Sequence, residues 1–303
     1  MATWQRNRKL PFMQLDFFND SLNVSLRNDV IFALEQCDVP LAQQAWEKLG
    51  QHCPDDTRQV ALLLLLIVFL AARSQVPFQS HADLSAARLE MQNKITPAAQ
   101  DSLGSAAAAV WLRERWQELA RRAALLPFRA EHADDHAATL WLHTANWQMA
   151  ADAVAQIESW RRIPAPLSWM LQARLRLQGL QANWGLLAEL AWLSPNRLGN
   201  VVRQAADPIL QQWVTKFEQG FEDAGDASDL VWLPAWLLTQ RPALAPHLAQ
   251  AQASQHSEPE QAMRVLLELL GLERQGRQRE VIEHRKTLRG LHSGLYAAYL
   301  ATR

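Results

Sequence analysis

The sequence predicts an all-α chain, a right-handed solenoid of antiparallel helix pairs with hairpins of about 34–40 residues. Two observations predict it. The triplet Ala145-Asn146-Trp147 recurs as Ala182-Asn183-Trp184, 37 residues further on, and each copy sits between segments with apolar residues at helical spacing. Composition agrees. Hydrophobic residues make up 49% of the 303 and charged residues 20%, enough for a core and too apolar for global disorder. The 11 Gly are too few for the tight turns of an all-β design.

The first pair begins after Asn23. Leu26, Val30, Ile31 and Leu34 repeat at helical spacing, and Asp38-Val39-Pro40 turns the chain and caps the next helix. Leu41, Ala42, Ala45, Trp46 and Leu49 then form an apolar face, and Cys53-Pro54-Asp55-Asp56 ends it. Val60 to Ala72 is an unbroken apolar run of thirteen residues. A bilayer needs about 20, so this run is expected to be a fully buried core helix. Further helices are expected over Thr57–Ser74, Asp83–Gln92, Pro97–Leu126, Asp134–Asn146, Met149–Arg161, Pro166–Gly179, Gly185–Leu193 and Arg197–Gly220. Pro208 should break the last of these. An acidic surface loop over 222–229 precedes a helix over Leu230–Gln240. A final pair runs from Glu260 to His292 and turns at Gln275-Gly276-Arg277.

The 26–56 unit resembles a tetratricopeptide repeat. Ala42, Trp46, Leu49 and Pro54 stand where that family places a small residue, an aromatic, an apolar residue and a terminal proline. Its first helix departs from the family's Trp-Leu-Gly-Tyr pattern, carrying Leu26, Asp29, Val30 and Ala33 instead. The resemblance implies degenerate helical hairpins that bind other proteins along a surface. Three regions are expected: an N-terminal extension over 1–22, a helical repeat region over 23–127, and a second over 128–303 packed continuously with it.

A net charge of −1 removes any global argument for nucleic acid or an anionic membrane. The basic N-terminus (Arg6, Arg8, Lys9) is followed by no apolar signal region, so a cytoplasmic protein is expected. Cys37 and Cys53 match no metal or redox spacing and read as reduced core thiols.

Candidate binding residues fall in four places. Gln14-Leu15-Asp16-Phe17-Phe18 resembles the short peptide by which bacterial replication and repair proteins dock on the sliding clamp, with Phe17 in place of the usual Leu. The resemblance implies an extended peptide that inserts two apolar anchors into a pocket. Alternatively, Leu15, Phe17 and Phe18 are the apolar lead-in of the first helix. Arg277, Arg279, Arg285, Lys286 and Arg289 give a basic C-terminal end suited to phosphates, although Glu280 and Glu283 interleave with them. Trp232 and Trp236 are expected to line a groove, with Trp169, Arg174 and Arg176 as further positions on first helices. Last, His132 and His136 would share a helix face at i, i+4 with His143 beyond, the geometry of a metal site. The simpler expectation is that Asp134 caps the helix there and the histidines are solvated.

No P-loop, dinucleotide-type glycine loop, nucleophile elbow or paired cysteine ligand set occurs, so no cofactor, metal or catalytic residue is expected. The expected function is a non-enzymatic scaffold or adaptor that binds a partner peptide or helix in a helical-repeat groove. The alternative is a replication or repair accessory factor recruited to the sliding clamp through Gln14–Phe18, with its basic end near DNA.

Overall fold

The computed structural model describes residues 12–54, 56–71, 76–205, 207–221, 225–252 and 257–303, with side chains from residue 22 onward. Among the described residues there are sixteen α-helices and no strand. None of these helices is long and apolar enough to cross a membrane. The chain divides into two compact units, Met1–Leu126 and Pro127–Arg303.

In the first unit α1 (Phe12–Glu35) packs along α2 (Val39–His52), and α3 (Gln59–Ala71) packs on both and on α5 (Thr96–Ala123). Asp38 caps α2 by accepting from the Leu41 amide at 3.0 Å, and Ala42 and Leu49 are fully buried against α1. The thirteen apolar residues from Val60 do not form a helix buried all round. Leu62, Leu65, Leu66 and Phe69 face the core, while Val60 is 77% and Ile67 52% exposed. A short π-helical turn, Met91–Ile95, joins α4 (His81–Glu90) to α5. Gly104 breaks α5 with φ 75° and ψ 160°, a conformation that costs glycine nothing for want of a Cβ. The Arg115 guanidinium is buried over the rings of Phe69 and Trp111 and pairs with Glu118 at 3.1 Å.

The second unit holds α6 (Ala137–His143), α7 (Trp147–Ala155), α8 (Pro164–Gln178), α9 (Trp184–Leu193), α10 (Pro195–Ala205) and α11 (Pro208–Gly220). It continues with α12 (Leu233–Gln240), α13 (Ala245–Leu248), α14 (Glu258–Arg274), α15 (Gln278–Leu291) and α16 (Ser293–Leu300). Pro208 breaks the chain as expected, and Asp207 caps α11 through the amides of Ile209 and Leu210, both at 2.9 Å. In α9 every residue from Trp184 to Trp192 is buried, so its neighbours α8, α10, α12 and α13 enclose it. Its one charged group, Glu189, accepts from the Gln252 amide at 2.8 Å and pairs with Arg161 at 3.1 Å. Burial raises the Glu189 pKa, and these two partners oppose that rise. On the same face of α9, a Cβ on Gly185 would meet the backbone of Gln250 and Ala251 at 3.3 and 3.2 Å.

Three of the turns between consecutive helices are built alike. After α1, the Cys37 and Asp38 amides reach back three and five residues to the carbonyls of Leu34 and Ala33. Ala145 and Asn146 do the same to Leu142 and Trp141, as do Gly276 and Arg277 to Glu273 and Leu272. The paired bonds satisfy carbonyls that the helix end leaves open, and they require a left-handed residue at the first position. Cys37, Ala145 and Gly276 supply it with φ of 54°, 57° and 70°. Cys37 is therefore an exposed turn residue, and only Cys53 is the buried thiol expected of both. The second copy of the triplet differs from the first. Asn146 caps α7 through the Met149 amide, whereas Asn183 is buried and donates to the carbonyls of Gly179 and Arg174 at 2.7 and 3.3 Å.

Strain at these turns is measurable. Gly276→Ala should destabilise the protein by about 1 kcal/mol, because a Cβ disfavours the left-handed region. Ala145→Gly should stabilise it by about 0.5 kcal/mol, since relief of strain there exceeds the added freedom of the unfolded chain. Urea unfolding midpoints of the two variants check both signs.

Candidate functional site

The second unit carries an open cleft of about 360 Å³ on α6, α8 and α10. These three helices lie side by side, while α7 and α9 lie between them in sequence. Thr139 and His143 reach it from α6, Gln172 from α8, and Arg197, Asn200 and Gln204 from α10. The α10 residues stand at i, i+3 and i+7, so they share one helix face, and Leu198, Val201, Val202 and Ala205 are buried. Gln172 Nε2 donates to Gln204 Oε1 at 3.0 Å, and Arg176 donates to the Gln204 carbonyl at 3.3 Å, which ties α8 to α10.

Trp169 forms part of the cleft wall and is fixed from behind. Its ring stacks on His136 with centroids 5.6 Å apart and planes 8° from parallel, and Phe128 meets both rings edge-on. His136 is itself held, since its Nδ1 accepts from the Ala138 amide at 3.2 Å and caps α6. The cleft thus offers amides, two hydroxyls, an imidazole, one guanidinium and an apolar wall, with no carboxylate among the described residues that line it. Such a set can donate to and accept from peptide groups.

His136, rather than Asp134, caps α6, and it is buried rather than solvated. Residues 130–135 form a 3₁₀ turn, so His132, His136 and His143 do not share a helix face. Among the described residues no three His, Cys, Asp or Glu side chains form a group able to hold a metal ion. Trp236 is 4% exposed and packs edge-on against Trp213 and Phe217, which makes it a core residue rather than a groove residue. Trp232 is half-buried with its ring 4.3 Å from that of His292. Arg174 lies over Trp160 and Arg176 over Trp147, at 5.9 and 5.6 Å.

At the C-terminal end, Arg277 pairs with Glu280 at 2.6 Å and Lys286 with Glu283 at 2.9 Å. Arg285 binds Glu273 at 3.3 Å and the Tyr299 hydroxyl at 3.1 Å, and Tyr299 in turn donates to Glu273. Three of the five expected phosphate contacts are therefore matched to a glutamate, while Arg279 and Arg289 are exposed. Gln14–Phe18 fall in the first turns of α1, and their side chains lie outside the described residues.

The cleft residues Gln172, Arg197, Asn200 and Gln204 do not stand out in the sequence, and His143 does so only as a metal candidate. The available signal is the contrast on α10 between its polar i, i+3, i+7 face and the apolar residues behind it. Comparison of the chain with family models, with curated proteins and with solved structures finds no match in any of the three.

The basic end has its own pH signature. His284 lies 2.9 Å from the Glu280 carbonyl and 2.8 Å from the Glu268 carboxylate, linking α15 to α14. The backbone bond to Glu280 is the main cause of a pKa raised above 6.5, with Glu268 adding to it. Because the folded pKa is raised, this contribution to stability is complete below pH 6.5 and is lost as pH rises through the folded value. Between about pH 6 and about pH 8 the wild type should lose more stability, or gain less, than His284→Gln, as urea unfolding measures.

Proposed function

We propose that this protein is a non-catalytic scaffold that holds an extended segment of a partner protein in the cleft on α6, α8 and α10. In this reading the helices form a solenoid of antiparallel pairs, with α6/α7 and α8/α9 as successive hairpins and α10 opening the next. The first helices then line one face, and the second helices back it. The observation that carries the reading is the lining of the cleft by Gln172, Asn200 and Gln204 beside Arg197 and Trp169, with no carboxylate among its described residues. Amide side chains pair with main-chain N–H and C=O of any sequence, and the indole wall gives apolar contact. Arg197 favours a partner segment with an acidic residue or a free carboxylate near that end.

The test is selection of binders from a displayed random peptide library on the purified full chain. Selected peptides should bind the wild type and lose about tenfold in affinity or more on Asn200→Ala/Gln204→Ala, the loss of two hydrogen bonds. Arg279→Ala, on a different helix, should leave affinity unchanged. If every selected peptide ignores the cleft substitutions, the cleft is not the binding surface. Binding of a bacterial sliding clamp abolished by Gln14→Ala/Phe18→Ala would instead establish recruitment through the N-terminal peptide.

A further inference from the structure

The first unit contains a second, chemically different cleft, of about 270 Å³, between α1, the start of α3 and α5. Its polar groups are Arg27 and Asn28 from α1, Arg58 from the turn before α3, and Ser102 from α5. Val24, Ile31 and Leu62 give it an apolar side. One carboxylate contacts the Arg27 side chain and the Arg58 backbone. The Asp56 side chain is 5% exposed, and its Oδ2 lies 3.1 Å from Arg27 Nε. Its Oδ1 accepts from the backbone amide of Arg58 at 2.9 Å, which fixes the turn that carries that side chain.

The arrangement leaves donors free. Arg27 donates from Nε to the Asn23 carbonyl at 3.2 Å, and the same nitrogen is in ionic contact with Asp56 Oδ2. Its two terminal nitrogens, and the whole guanidinium of Arg58, have no partner among the described residues. Among the described lining residues and their ion-pair partners there are two guanidiniums and one carboxylate, a net positive charge at a concave site. A low-dielectric wall sharpens that field. A planar fork of N–H donors held from behind by a buried carboxylate is the geometry that receives an oxyanion through paired hydrogen bonds.

We infer that this cleft binds a small molecule that carries an oxyanion, phosphate or carboxylate, on a compact apolar body. The oxyanion lies between Arg27 and Arg58, Asn28 and Ser102 bond its remaining oxygens, and the apolar body rests on Ile31 and Leu62. The site is separate from the cleft on α6, α8 and α10 and does not depend on the function proposed for it.

The test is titration of the full-length chain by calorimetry with phenyl phosphate, benzoate and benzyl alcohol. At least one anion should bind, the alcohol should not, and the tighter anion identifies the headgroup. Arg58→Gln should weaken the bound anion about tenfold or more, the loss of a charge-assisted pair, without changing the unfolding midpoint. Arg27→Gln should do the same at some cost in stability, since it also strips Asp56 of its partner. Equal binding of benzyl alcohol, unchanged affinity in Arg58→Gln, or no heat with either anion would overturn the assignment.

Discussion

The second unit depends on α9 being buried on every side. A helix with no solvent face can carry almost no charge, and α9 carries one charged group, Glu189. A buried carboxylate without partners is strongly unfavourable, so Glu189 obliges other parts of the chain to come to it. The turn bearing Arg161 supplies a guanidinium, and Gln252, far along the sequence, supplies a backbone amide. Arg264 completes the arrangement from α14, donating to the Ala251 carbonyl at 2.7 Å and pairing with the buried Glu260 at 3.7 Å. Gly185, one turn from Glu189, is where the 250–251 backbone comes too close for a side chain. A single helix thus dictates the path of segments that precede and follow it by many residues.

The cleft is a consequence of that burial. With α9 as their common support, α8 and α10 lie side by side, and the Gln172–Gln204 pair spans them. The short turn at Ala145 sets α7 beside α6, so that α6 falls next to α8. The side chains that line the cleft are supported by groups that do not touch it. His136 and Phe128 hold Trp169, and Arg176 holds the Gln204 backbone. Orientation imposed from behind is what lets exposed amides act as a defined surface rather than as mobile side chains.

Much of the helical order is legible in the sequence because caps and breakers act locally. Asp38-Val39-Pro40, Pro208 and Gln275-Gly276-Arg277 each stop or start a helix within a few residues of where their chemistry requires it. What is not legible depends on three-dimensional neighbours. The apolar run from Val60 reads as a buried helix but exposes one side, whereas the shorter α9 is the helix enclosed all round. The repeated Ala-Asn-Trp triplet reads as one motif used twice, yet Asn146 caps a helix and Asn183 is buried in a turn. Periodicity shows that a residue lies on a face, and it does not show what that face meets. For the same reason Trp236 reads as a groove residue and is a core residue. The cleft amides, common residues at unremarkable spacing, carry no signal until α8 and α10 are placed side by side.

The central claim is that α9 is the structural axis of the second unit, and amide hydrogen exchange tests it directly. The α9 amides from about Leu187 onward should exchange most slowly of all in this unit, at one common rate set by its global unfolding. Their protection should exceed that of α11 and α15, which have exposed faces. If α9 exchanged as fast as those helices, or opened while α8 and α10 stayed protected, it would not be the element that holds the cleft together.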